Sequence, residues 1–243
     1  MNFIHGCYSD IGNTRPNNED SILSYAFEKD GLSVCVGIIC DGIGGLANGE
    51  FASRKMTAYF MNWIVSLSTT DLSQRDFQSI TMEFKEQLHT INGIICKEAA
   101  LNSIQTGTTV SGVIIVNDDF MTVNVGDSRV YKVVKKSVTQ LTSDDVQMQN
   151  RNGIERSVLS QCIGYDGNIF ISTVIGKVEH NDAFIFCSDG FYKLMKDKEI
   201  AKTLFWLNKK KNVSLVCSSL IEKIKSRGER DNISLGIIKC INK

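Results

Sequence analysis

Four acidic residues stand where an apolar run meets a turn. Val34-Cys35-Val36-Gly37-Ile38-Ile39-Cys40 ends in Asp41-Gly42-Ile43-Gly44-Gly45. Phe184-Ile185-Phe186-Cys187 ends in Ser188-Asp189-Gly190. Asp231-Asn232 opens the run Ile233–Ile238, and Val123-Asn124-Val125 leads into Gly126-Asp127-Ser128-Arg129. Such runs read as buried strands: short, β-rich and bounded by turn residues. An acid at the rim of a core keeps its charge only with a partner. Glycine removes side-chain bulk, so a backbone carbonyl can approach a ligand closely. An acid beside an accessible carbonyl is a hard-oxygen pair, suited to magnesium, manganese or calcium rather than zinc. One Asp-Gly is ordinary turn chemistry. Four acids at four strand ends are a different matter, because like charges brought together call for cations to neutralise them.

The elements that must position these acids follow from periodicity. Strands are expected at 2–9, 21–27 and 32–40, the last two joined by a Lys29-Asp30-Gly31 turn. Ala52, Met56, Tyr59, Phe60, Trp63, Ile64 and Leu67 recur at spacings of three and four, predicting a helix over 48–67. Phe77, Ile80, Phe84, Leu88, Ile91 and Ile95 predict a second over 73–101. Strands follow at 108–116, 120–125, 128–135 and 137–140. The segment 141–167 is polar and poorly periodic, with a short helix expected near 143–151. Its Asn150-Arg151-Asn152-Gly153 does not fit a calcium-loop pattern. Strands at 169–178 and 182–187, helices at 197–207 and 212–226, and a strand at 232–241 complete the chain. This order is not an alternation of strand and helix. It points away from a doubly wound parallel sheet and towards antiparallel sheets covered by helix pairs.

The 243 residues suit one large domain, and 42% hydrophobic with 22% charged residues is a globular composition. Lys and Arg number 27, as do Asp and Glu, so no global basic field argues for nucleic acid. No signal peptide and no membrane span are expected from the apolar pattern. The eight cysteines form no Cys-x-x-Cys pair, and several fall inside apolar runs. They read as reduced core thiols of a cytoplasmic protein. His5, His89 and His180 are not spaced as a zinc pair, and the single proline, Pro16, excludes a Pro-rich linker.

Arg15-x-x-x-Glu19-Asp20, Asp41-Gly42-x-Gly44-Gly45 with Gly49-Glu50, Thr106-Gly107-Thr108-Thr109, Gly126-Asp127-Ser128-Arg129, Ser188-Asp189-Gly190 and Asp231-Asn232 occur in that order. The series resembles the metal-dependent serine/threonine protein phosphatases of type 2C, the PPM family, and its bacterial single-domain branch in size. The resemblance spans essentially the whole chain. It implies an α+β fold, a four-layer αββα sandwich of two antiparallel sheets flanked by helix pairs, in one domain over 1–243. It implies hydrolysis of phosphoserine and phosphothreonine in proteins by a metal-activated water, with no covalent intermediate. Two manganese or magnesium ions are implied, with a weaker third.

By that resemblance Asp41 bridges two ions, the Gly42 carbonyl binds one, and Asp189 and Asp231 bind the other. Glu19 supports the first ion, directly or through water. Asp20 and Asn232 stand behind the ligands, Asp127 joins Asp189 in the third site, and Arg15 clamps the substrate phosphate. Arg15 also lies in a polar loop beside Glu19 and Asp20, which favours a functional role, whereas Arg129 reads as a structural ion pair within the Gly-Asp-Ser-Arg turn. The partners implied are phosphoproteins that a serine/threonine kinase has modified, with the enzyme a monomer that engages neither nucleic acid nor membrane.

Two departures from the family pattern stand out. Ile43 and Leu46 occupy positions where many members carry histidine, or methionine at the first, so leaving-group protonation falls to a water on the metals. The flap segment over 141–167 is expected to be short, with Asp145 where histidine is usual. Two other readings compete: a pseudophosphatase that keeps the fold to bind a partner, and a phosphatase of small phosphorylated metabolites. The retained acids argue against the first.

Overall fold

The apolar runs are apolar on both faces because two sheets lie one against the other and each is covered outside by helices. The computed structural model describes residues 1–43, 48–151, 154–208 and 211–241. In chain order the elements are β1 (Asn2–Asp10), β2 (Ser21–Lys29), β3 (Leu32–Cys40), α1 (Gly49–Thr69), α2 (Phe77–Leu101), β4 (Val110–Val116), β5 (Asp119–Val125), β6 (Arg129–Val134) and β7 (Ser137–Gln140). Then come β8 (Val146–Arg151), β9 (Ile154–Leu159), β10 (Ser172–Lys177), β11 (Ala183–Cys187), α3 (Asp189–Tyr192), α4 (Asp197–Phe205), α5 (Val213–Lys225) and β12 (Ile233–Ile241).

One sheet has the order β1-β12-β11-β6-β7 and the other β10-β5-β4-β3-β2. All their pairings are antiparallel. This is the α+β sandwich expected.

Strand alternation sorts the side chains into three layers of core. On β3, Val34, Val36, Ile38 and Cys40 face α1 and α2, whose Met56, Phe60, Ile64, Phe84 and Leu88 meet them. Cys35 and Ile39 point the other way, into the space between the sheets, with Val113, Ile115, Phe184, Phe186 and Ile238. Ile185, Cys187, Leu235 and Ile237 face the outer layer of α3, α4 and α5, through Phe191, Ile200, Leu204 and Ile221. Phe186 lies between the sheets. A Cβ at Gly37 would lie 2.3 Å from its ring, and one at Gly236 only 2.0 Å. One aromatic thus fills room that two glycines leave on facing strands.

The register collects strand ends. Asp10 pairs with Ile233, Cys187 with Leu235 and with Arg129, Ser21 with Cys40, and Val110 with Val125. Within each sheet, the ends of β1, β3, β5 and β11 therefore lie beside the starts of β12, β2, β4 and β6. The acids at 41, 127, 189 and 231 follow or precede these ends.

Three elements differ from expectation. No helix forms near 143–151: β8 and β9 pair there as a hairpin of their own, Val146 opposite Leu159. Val146-Gln147-Met148-Gln149 alternates apolar and polar, the period of a strand. Backbone pairing with 154–159 then satisfies the amides without a buried face. Helix α2 starts at Phe77 rather than Ser73, because Asp76 and Ser79 form a capping box, Ser79 N–H donating to Asp76 Oδ1 at 2.8 Å and Asp76 N–H to Ser79 Oγ at 3.0 Å. The one-turn α3 over Asp189–Tyr192 was not foreseen; it is too short to show a period. Residues 44–47 and 152–153, which include Gly44, Gly45, Leu46 and the tip of the hairpin, lie outside the described residues. Among the described residues, no helix is long and apolar enough to cross a membrane.

Candidate active site

Asp41 leaves the central strand β3 with its backbone held from both sides. Its N–H donates to Thr109 Oγ1 at 3.0 Å, and its carbonyl accepts from Thr109 N–H and from Thr108 Oγ1, both at 2.9 Å. Ile43 N–H donates to Gly107 O at 3.0 Å, and Thr106 Oγ1 to Asn48 O at 2.6 Å. The Thr106-Gly107-Thr108-Thr109 motif is therefore a clamp on the turn after β3. Gly42 fits because a Cβ there would meet Glu19 O at 2.6 Å and Gly49 O at 2.7 Å. Its N–H donates to Glu19 O, which also accepts from Ser53 Oγ at 2.5 Å. This stitches the loop bearing Glu19 to the start of α1.

Asp231 and Asp189 are brought together at the other sheet. A Cβ on Gly190 would lie 2.1 Å from Asn232 O, so α3 can sit against the start of β12 only with glycine there. Asn232 works as a backbone tie: Oδ1 accepts from Glu19 N–H at 2.9 Å, and Nδ2 donates to Ile11 O and Asn17 O at 2.9 and 3.0 Å. It fixes the 11–20 loop, and with it Arg15, Glu19 and Asp20, over the strand ends.

Asp20 is buried. Its Oδ2 accepts from Ser234 Oγ at 2.7 Å, and its Oδ1 has no partner. Burial pushes its pKa up to about 7, against the bonds from Ser234 and Ser188 and with the charges of Asp189 and Asp231. Burial and then the charges of Asp20, Asp189, Asp127 and Asp231 hold Asp41 well above the usual carboxylate range. Asp127 is pushed up to about 6, by burial and then by Asp189. Glu19 is raised by burial, in spite of Arg15. Electrostatically these acids form one cluster, in which each opposes the ionisation of others.

Two cations sit on the cluster. Arg15 lies on Asp231 through two contacts, Nε to Oδ1 and Nη2 to Oδ2, both at 2.9 Å. Lys193 Nζ lies 2.5 Å from Asp189 Oδ2. Among the described residues, no three Asp, Glu, His or Cys side chains are already drawn together as a ligand set. The donor chemistry nevertheless fits a hard divalent cation. The acids offer only oxygen, and a buried carboxylate oxygen of Asp20 stands unpaired. A divalent ion would relieve the repulsion that, after burial, raises Asp41 and Asp127.

Arg129 does make a structural ion pair, with Asp144 rather than within its own turn. Nε donates to Oδ1 at 2.9 Å and Nη2 to Oδ2 at 2.7 Å, while the guanidinium stacks 3.7 Å from the Tyr192 ring. Asp145 ties the hairpin segment to the Gly126 turn, accepting from Gly126 N–H and Gln161 Nε2, each at 2.9 Å. Beside Ile43, the hairpin and the segment after it wall a cleft of about 650 Å³ with Gln147, Leu159, Gln161 and Tyr165. Sequence reasoning gave no part to Lys193, nor to Ser188 and Ser234 beneath Asp20. A lysine four residues past Asp189 is the only signal that was available for the first.

Comparison with known proteins follows the same lines. The profile of the family described as Protein phosphatase 2C matches residues 11–210. The serine/threonine phosphatase stp of Listeria monocytogenes is 24% identical over 247 residues, covering 95% of this chain and 93% of its own. The structure of the S. agalactiae serine/threonine phosphatase superposes with a TM-score of 0.81 at 25% identity, covering 99% of this chain and all of that one (100%). The catalytic domain of the phosphatase PstP, solved in complex with two manganese ions, gives 0.74 at 21% identity, over 99% of each chain. A profile match across most of the chain, with the same fold end to end, leads to one conclusion: this chain is a member of the protein phosphatase 2C family.

Proposed function

We propose that the chain is a phosphoprotein phosphatase that hydrolyses phosphoserine and phosphothreonine with divalent metal and without a covalent intermediate. The observation that carries the reading is the electrostatic grouping of acids at the strand ends: after burial, the charges of Asp189 and Asp231 help to raise Asp41, that of Asp189 helps to raise Asp127, and that of Asp231 helps to raise Glu19. Glu19, Asp41, the Gly42 carbonyl, Asp189 and Asp231 would hold two ions, manganese or magnesium. When bound, such a pair activates water and neutralises the phosphoryl oxygens of an in-line displacement.

The remaining work belongs to the protein's own groups. Arg15 offers a planar fork matched to two phosphoryl oxygens. Its side chain is 40% exposed, so it is free to exchange Asp231 for substrate. Asp20 and Asn232 stand behind the acids and keep the Glu19 loop in place. Ile43 carries no proton, so no side chain at that position protonates the leaving alkoxide, and solvent must do so. The cleft beside Ile43 receives the protein segment around the phosphorylated residue. Substrates of a serine/threonine kinase, action as a monomer and a cytoplasmic setting belong to the same reading. Eight free cysteines, five of them buried, agree with a reducing compartment.

The test is release of inorganic phosphate from a phosphothreonine peptide. Turnover with manganese and none in excess chelator is the expected result. Full turnover in chelator overturns the reading.

A further inference from the structure

Lys193 ends the single turn of α3 that Asp189 begins, four residues on, so its side chain returns over the acid. The ammonium is within 2.5 Å of Asp189 Oδ2. Its surroundings are acidic on several sides. Burial works against the charge, but the bond to Asp189 and the fields of Asp189, Asp231 and Asp127 keep its pKa above the ordinary lysine value. Lys193 in turn acts on Asp127, against the burial and the Asp189 charge that push that carboxyl up.

We infer that the Lys193 ammonium is a tethered cation for the Asp189–Asp127 side of the cluster, in the place that a third divalent ion would need. The inference rests on the two-ion reading of the site. A carboxylate oxygen turned to an ammonium is not offered to a metal, and a divalent ion beside Nζ meets a like charge. The tether makes the competition intramolecular, so Lys193 is present at high effective concentration whatever the metal supply. Lys193 is 53% exposed, whereas Asp189 is 18% exposed. The ammonium can therefore swing out into water, which weakens a third ion without forbidding it. The two tight ions would then complete the site of this chain, with Lys193 supplying the remaining positive charge.

Manganese binding to the full chain tests this by calorimetry and equilibrium dialysis, with four proteins: the unmodified chain, Lys193→Met, Lys193→Arg, and Lys193→Met combined with Asp127→Asn. Met keeps the length and removes the charge. The unmodified chain and Lys193→Arg should bind two ions tightly. Lys193→Met should bind three, the third at least about tenfold tighter than any weak third ion of the unmodified chain, as befits removal of one nearby charge. The double variant should return to two. Two ions in Lys193→Met, with only a lower Tm, would mean that Lys193 merely closes the turn of α3, and the inference fails. Three equally tight ions in the unmodified chain also overturn it, and leave the metal-dependent reading standing. Fewer than two ions in the unmodified chain overturn the two-ion reading and the inference together.

Discussion

Asp20 shows how much of the site's behaviour hangs on single side chains. Its pKa in the folded chain is about 7, against 3.8 for a free side chain, chiefly through burial. Asp127, at about 6, shifts in the same direction. The folded, metal-free protein therefore holds protons that the unfolded chain has released. The stabilising effect is complete below about pH 4 and is lost as pH rises through 6 and 7. Melting of the chelated protein should fall in temperature across that window, by up to about 1.4 kcal/mol of stability per pH unit for each proton involved. Asp20→Asn should flatten the slope, and manganese at pH 7.5 should raise the Tm of the unmodified chain. A slope unchanged in Asp20→Asn would mean that this carboxyl carries no such strain. Arg15 offers a second test at this scale. If its fork holds phosphate, Arg15→Ala should chiefly raise KM and lower kcat/KM about 10- to 100-fold, the worth of charge-assisted hydrogen bonds. Kinetics that do not change would leave Arg15 as an ion-pair partner of Asp231 only. The acids were readable in the sequence because each follows or opens an apolar run. The groups that hold them were not: Ser188 and Ser234 acquire their parts only when β11 and β12 are laid side by side near Asp20, and Lys193 does so only when the turn of α3 brings it over Asp189.

Elements bring these residues together, and Phe186 on β11 is where the two sheets register. Its ring fills the space over Gly37 of β3 and Gly236 of β12. Phe186→Ala should cost about 3–5 kcal/mol, as large-to-small changes in a close-packed core do, and should lower the Tm whether or not metal is present. A much smaller loss would show that the sheets close over the cavity. The central strands were legible because a run buried on both faces is apolar at every position, as Val34–Cys40 is. The 146–159 hairpin was not, because it buries little and its form is set by backbone pairing rather than by a hydrophobic face. The start of α2 was misplaced by four residues although the signal existed: Asp76 and Ser79 have the spacing of a capping box.

At the scale of the molecule, an antiparallel register in each sheet gathers the acid-bearing ends of β3, β11 and β12, and the Thr106–Thr109 clamp and Asn232 lock the connecting loops over them. The order of six motifs made this arrangement legible as a family resemblance, and the family match agrees with it. The sequence alone carries no sign that Arg15 rests on Asp231, since an ion pair across 216 residues leaves no local pattern. The central claim is that the acids at these ends hold the metal with which the protein hydrolyses phosphoserine and phosphothreonine. Asp41 is its keystone, tied into β3 and within the field of four other acids. The most direct measurement pairs manganese calorimetry with phosphopeptide turnover in Asp41→Asn, an isosteric change that removes one charge. The variant should fold with an unaltered circular dichroism spectrum, bind fewer ions than the unmodified chain, and release no phosphate above background. Full turnover with the same number of ions bound would contradict the account.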